Sequence, residues 1–264
     1  RRKLGPGPAG LSPAEPSESE LNSIRNCPMK LAAVRERLSD VSWWMRLLNQ
    51  RVAQHANRED ETPGRFWQDR FRAIRIDDQE SLLACAAYVE LNPIRAALAQ
   101  TLEESQFTSA KKRIESEVEI AAERHAAVEP SAPIPASHRR DAFLARLSID
   151  EQADSLGPCA NTTGTRCSDK GFLAMSTLDY FQLLDWTARQ IVPDKAGHTS
   201  TSAPPILRRL GLDPPSWCEL VKQFDEVFCH VAARVDRVDR CRSHRTNRRF
   251  RVRPIARKLL PAPL

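Results

Sequence analysis

The 264-residue chain has no apolar run approaching the roughly 20 residues that span a bilayer, and its first residues, RRKLGPGPAG, hold no apolar stretch of the kind a signal peptide needs. Neither membrane insertion nor export is expected, and a cytoplasmic location follows. No CxxC pair occurs, and the seven cysteines (Cys27, Cys85, Cys159, Cys167, Cys218, Cys229, Cys241) are odd in number and scattered, unlike a disulfide framework. A set of free thiols is expected, with Cys159 and Cys167, in a polar loop, the one alternative for a zinc site. No glycine-rich phosphate loop is present, which leaves nucleotide hydrolysis without support. Glycine is scarce, at 9 residues against 19 prolines, and the mean hydropathy of -0.49 points to long linkers. The excess of 40 Lys and Arg over 34 Asp and Glu gives a charge of +6, a mild bias toward polyanions that decides little alone.

Against those absences stand several well-marked segments. Residues 1–16 are rich in Pro, Gly and Ala and read as disordered, after which Ser17 with Glu20 fits a capping box opening a short helix to about Asn26. Leu31, Val34, Leu38, Val41, Met45, Leu48 and Val52 are spaced three and four alternately, which predicts one helix of about seven turns with its apolar stripe in the core. After the Pro63-Gly64 turn, Arg65 to Ile76 mixes aromatic and β-branched residues with charges, as in a strand with one wet face. Asp77-Asp78 opens a second helix that must stop or kink at Asn92-Pro93.

Residues 110–175 are charged and then proline-rich (VEPSAPIPAS) and read as a linker region. A helical region over 176–233 follows, with Ser176 capping one helix, Pro214 or Pro215 starting another, and Trp186 and Trp217 reading as core. The stretch 234–264, dense in arginine and interleaving His244 and Phe250, is either a solvated tail or a phosphate-binding arm.

The chemistry concentrates in GRFWQDRF (Gly64 to Phe71) and CAAYVELNPIRA (Cys85 to Ala96), where Tyr88 and Asn92 stand i, i+4 on one helical face. On pattern alone Tyr88 reads as a half-buried helix tyrosine and Asn92 as a helix-end residue before proline, with a catalytic pair as the alternative. Cys85, three residues before Tyr88, reads as a small buried apolar side chain rather than a nucleophile.

Together with the upstream DVSWWMR (Asp40 to Arg46), these segments closely resemble the REP-associated tyrosine transposases, of the single-tyrosine HUH class acting on single-stranded DNA. The resemblance spans about Ser17 to Ser109, the transposase-like domain 17–109. It implies an α+β fold: a partial ferredoxin-like core with an antiparallel sheet, followed here by the mainly helical C-terminal region. It implies that Tyr88 attacks a DNA phosphodiester to form a 5'-phosphotyrosyl link, and that Asn92 helps hold Mg²⁺ or Mn²⁺. On single-stranded or hairpin DNA, Arg65, Arg70 and Arg72 would meet phosphates, Trp67 would stack on a base and Gln68 would bond a base edge, with Arg95 a further contact. The competing reading makes Trp67 core and the arginines a solvated sheet face.

The family's other metal ligands are a His-hydrophobe-His triplet upstream, and this sequence has none: its six histidines are isolated, and only His55 precedes Tyr88. The expectation is a chain starting downstream of the first strands, with an incomplete metal site and no activity by itself. Its strand at Arg65 to Ile76 would keep an exposed edge, implying a homodimer or poor solubility. The rival readings are a catalytically inactive DNA-binding remnant and a helical interaction protein without nucleic acid.

Overall fold

In a computed structural model of the chain, the structure describes residues 16–126, 139–149, 166, 170–192, 202–243 and 252–260. The N-terminal segment 1–15, the proline-rich VEPSAPIPAS, the pair Cys159 and Cys167, and residues 244–251 with His244 and Phe250 lie outside the described residues. The chain divides into two compact units, Arg1–Arg72 and Ala73–Leu264.

In the first unit, α1 (Glu18–Arg25) opens on the expected capping box: Glu20 N donates to Ser17 Oγ at 3.3 Å, while Ser17 N donates to the Glu20 carboxylate at 2.9 Å. The single long helix expected from Leu31 is instead two, α2 (Pro28–Ser39) and α3 (Val41–Glu59). Asp40 divides them, because its extended backbone turns the chain and its carboxylate accepts from Ser42 N at 2.8 Å, capping α3. Nor is the apolar stripe a core: no residue of α1, α2 or α3 is buried, and Leu38, Val41 and Leu48 are 59%, 59% and 55% exposed. The unit forms no strand among its described residues, so the stripe meets no sheet.

The strand expected over Arg65 to Ile76 is confined to β1 (Arg75–Ile76). Gly64, at φ 126°, makes the turn after Pro63, and Asn57 Nδ2 donates to its carbonyl at 2.9 Å. Arg65 Nε then donates to the Trp67 carbonyl at 2.7 Å and Arg65 Nη2 donates to the Gln68 carbonyl. The segment's own side chain thus takes the acceptors that a strand would offer to a neighbour.

The second unit holds the core. It contains β1, α4 (Gln79–Glu90), α5 (Asn92–Arg95), α6 (Ser109–Ala126), α7 (Thr177–Ile191), α8 (Pro205–Arg209), α9 (Pro214–Lys222), α10 (Phe224–Val227), β2 (Val231–Ala232), α11 (Val235–Ser243) and α12 (Pro254–Leu259). Leu83, Ala84 and Ala87 turn one face of α4 inward, and α9 packs against α4, α7 and α12 around the fully buried Trp217. Trp217 Nε1 donates to Thr187 Oγ1 at 2.9 Å, so the indole's only donor is satisfied inside the core. The described residues are mainly helical and form a single two-stranded sheet, α+β in the coarse sense; β1 and β2 pair parallel, Arg75 with Val231 and Ile76 with Ala232. One edge of β1, expected to stand open, is therefore covered from within the chain.

Asp78 joins distant parts of this unit. Its Oδ1 accepts from Ser81 N at 2.8 Å as the cap of α4, and its Oδ2 accepts from Arg234 N at 2.5 Å. Arg234 also pairs through Nε with Glu80 at 3.0 Å, both side chains largely shielded, and donates from Nη2 to the Leu210 carbonyl at 2.7 Å. Residues read as a basic tail thus supply packing, as do Ala256, Leu259 and Leu260, all buried. Part of the region read as linker is likewise ordered: α6 is capped by the 5% exposed Glu90, whose carboxylate accepts from Ser109 Oγ and, at 3.0 Å, from Ala110 N. Gly171 is required where the chain returns past Ser148, since a Cβ there would lie 2.0 Å from the Ser148 carbonyl oxygen. Among the described residues, no helix is long and apolar enough to cross a membrane.

Candidate active site

Pro93 lacks the N–H that would continue α4, so the helix closes at Glu90, with Leu91 N donating to the Ala87 carbonyl at 3.0 Å, and restarts as α5 at Asn92. Tyr88 stands in the last turn before this break and Asn92 immediately after it. Tyr88 is half-buried, and its ring lies 5.8 Å from that of Phe224 on α10, tilted by 35°. The Arg95 guanidinium carbon sits 4.7 Å from the Tyr88 ring centroid, a cation over a π face. Arg95 Nη2 donates to the carbonyl of Lys222, the last residue of α9, at 2.5 Å. Among the described residues, the Tyr88 hydroxyl has no hydrogen-bond partner, and the exposed Asn92 side chain has none either.

This arrangement holds an aromatic ring by its faces and leaves its oxygen unbound. A phenol so placed can be oriented by packing while its hydroxyl stays available to an incoming group. Cys85, one turn earlier, is half-buried, and burial pushes its thiol above the usual range, which disfavours the nucleophilic thiolate and fits the small-residue reading. The other tyrosine, Tyr180, is buried; desolvation and the nearby Glu90 push its phenol up, so it stays neutral.

Of the residues singled out from sequence, Tyr88, Asn92 and Arg95 come together at the α4–α5 corner of the second unit. Arg65, Trp67, Gln68, Arg70 and Arg72 all belong to the first unit, and all are exposed. Arg65 is engaged with its own loop, while Trp67 packs edge-on against Phe66 at 4.9 Å and donates from Nε1 to the Asn49 carbonyl at 2.9 Å. Trp67 remains 41% exposed, so it is neither a core residue nor a free stacking platform. Phe224 and Lys222 were not foreseen; the Lys222 carbonyl lies 127 residues along the chain from Arg95, and no local pattern signals such a pairing.

A divalent metal fits this corner poorly. Asn92 offers one neutral oxygen, and among the described residues no three His, Cys, Asp or Glu side chains converge to hold an ion. His55 pairs through Nδ1 with Glu59 at 3.1 Å on the exposed face of α3. A hollow of about 510 Å³ is lined by residues that include Pro204, Leu207, Arg208 and Asp213, and not by Tyr88. Comparison with family models, with curated proteins and with solved structures found no match.

Proposed function

We propose that the chain is a transposase-like protein of the REP-associated tyrosine type, which binds single-stranded or hairpin DNA and uses Tyr88 as the nucleophile on a phosphodiester. The observation that carries this reading is the Tyr88 ring, flanked by Phe224 and with the Arg95 guanidinium over its face, and with its hydroxyl unbound among the described residues. In the proposed step a bond forms between the Tyr88 oxygen and phosphorus, and the bond from phosphorus to the 3' oxygen of the preceding nucleotide breaks. The phenolic proton ends on the released 3' hydroxyl, and the phosphotyrosyl link keeps the bond energy for rejoining. Arg65, Trp67, Gln68, Arg70 and Arg72 are proposed contacts to the same class of DNA, through phosphates and stacking.

The ferredoxin-like core belongs to this proposal as well; a parallel pair of two-residue strands does not by itself make one. A second reading, the catalytically inactive DNA-binding remnant, is favoured by the poor fit of a metal to this corner. Mg²⁺ or Mn²⁺ would need ligands from outside the described residues, and the step above is not routed through one. The two readings separate on incubation of the chain and its Tyr88→Phe variant with labelled hairpin DNA, with and without Mn²⁺. A protein-DNA adduct that survives denaturing electrophoresis and disappears in Tyr88→Phe is expected of the nucleophile. DNA retained at low salt without any adduct in either protein would replace it with the binding-only remnant.

A further inference from the structure

Arg95 is the unusual residue of the α4–α5 corner. Its guanidinium lies over the Tyr88 ring at 4.7 Å, one arm is spent on the Lys222 carbonyl, and Nη1 is buried with no hydrogen-bond partner. No carboxylate pairs with it among the described residues, in contrast to Arg113 and Arg234, which are shielded cations facing Asp141 and Glu80. A buried guanidinium nitrogen without a partner is costly as structure alone, and an acceptor brought to it relieves that cost. The ring beneath it meets Phe224 at 5.8 Å.

We infer that Arg95 is the positioning residue of the Tyr88 site: fixed by the C-terminal end of α9, it holds the phenol ring against Phe224 and leaves its charge unpaired for the phosphate the phenol approaches. The inference rests on the reading of Tyr88 as nucleophile and deepens it, since it makes α9 and α10, remote in sequence, one wall of the site. The planar guanidinium matters as much as the charge, because only a flat fork stacks on a ring while bonding sideways to a carbonyl. Lysine at this position keeps the charge and loses the stack; methionine keeps the stem and loses both.

The test uses the full chain labelled with ¹³C at the tyrosine ε carbons. The chain has 2 tyrosines, and Tyr88→Phe assigns the signals. In Arg95→Lys and Arg95→Met, each checked for cooperative melting, the Tyr88 ring signal is expected to move toward its unfolded position while that of Tyr180 stays. Adduct formation on hairpin DNA is expected to fall about 100-fold in Arg95→Met and about 10-fold in Arg95→Lys, the scale on which a misplaced reacting group loses rate. An unmoved Tyr88 signal in both folded variants, or an Arg95→Met adduct rate equal to the parent's, overturns the inference. A parent chain that forms no adduct, while both variants shift the Tyr88 signal, overturns the nucleophile reading and leaves the ring clamp standing, so the two failures are distinguishable.

Discussion

The two units of this chain are both mainly helical among the described residues and differ in what the helices meet. Among the described residues of Arg1–Arg72, α1 and α3 carry side-chain caps, α1, α2 and α3 pack on their neighbours in sequence, and none of their residues is buried. In Ala73–Leu264, the more apolar helices α4, α7 and α9 close around Trp217, Leu183, Leu184 and Leu220, drawn from segments far apart in the chain. An apolar stripe at helical spacing fixes which face is greasy, and a core forms only where a second element arrives to cover it. The proposed nucleophile stands on the unit that has such cover, and its ring is held by it.

The sharpest break of this contrast is a pair of core-directed truncations. Trp217→Ala is expected to cost about 3–5 kcal/mol, since it empties a fully buried site and removes the indole donor to Thr187 Oγ1. Leu48→Ala, on the exposed stripe of α3, is expected to cost less than about 0.5 kcal/mol, within the usual range for surface changes. Urea titrations followed by circular dichroism measure both, and equal losses would erase the distinction between the units.

A smaller effect separates the two capping aspartates. Asp78→Ala removes the cap of α4 together with the acceptor of Arg234 N, and a loss of about 2 kcal/mol is expected. Asp40→Ala removes only the cap of α3, for about 1 kcal/mol, and lets α2 and α3 fuse toward one helix. Amide hydrogen exchange reads the difference: protection falls across β1, β2 and α4 in the first variant, and stays local to residues 38–44 in the second.

The smallest effect is one of pH. Burial and the neighbouring Asp213 push the Cys218 thiol from 9.0 up to about 11, and the Tyr180 phenol is raised as well. Groups held neutral in the folded chain and free to ionise when it unfolds make stability full below pH 9 and erode it as pH climbs toward 11. Thermal melts across that interval should show the loss, and Cys218→Ala should flatten part of it.

Much of the local structure is legible in the sequence because it is made by near neighbours. Ser17 with Glu20, Asp78 ahead of α4, Ser176 ahead of α7 and Pro93 at the helix break each act within a few residues. Asp40 sits inside a regular apolar spacing, and periodicity that counts only greasy positions passes over a polar residue able to cap a new helix. Arg65 misleads for a similar reason: its charge suggests a wet strand face, while its guanidinium ties up the carbonyls of Trp67 and Gln68. Tyr88 and Arg95 are visible as a motif, whereas Phe224 and the Lys222 carbonyl that frame them come from a distant segment and leave no local trace.

The most direct measurement is the mapping of any covalent adduct by proteolysis and mass spectrometry after reaction with hairpin DNA. The account predicts a nucleotide remnant on the peptide containing Tyr88, half-buried with an unbound hydroxyl. A remnant on the Tyr180 peptide or on any other residue would contradict it, as would unmodified peptides throughout.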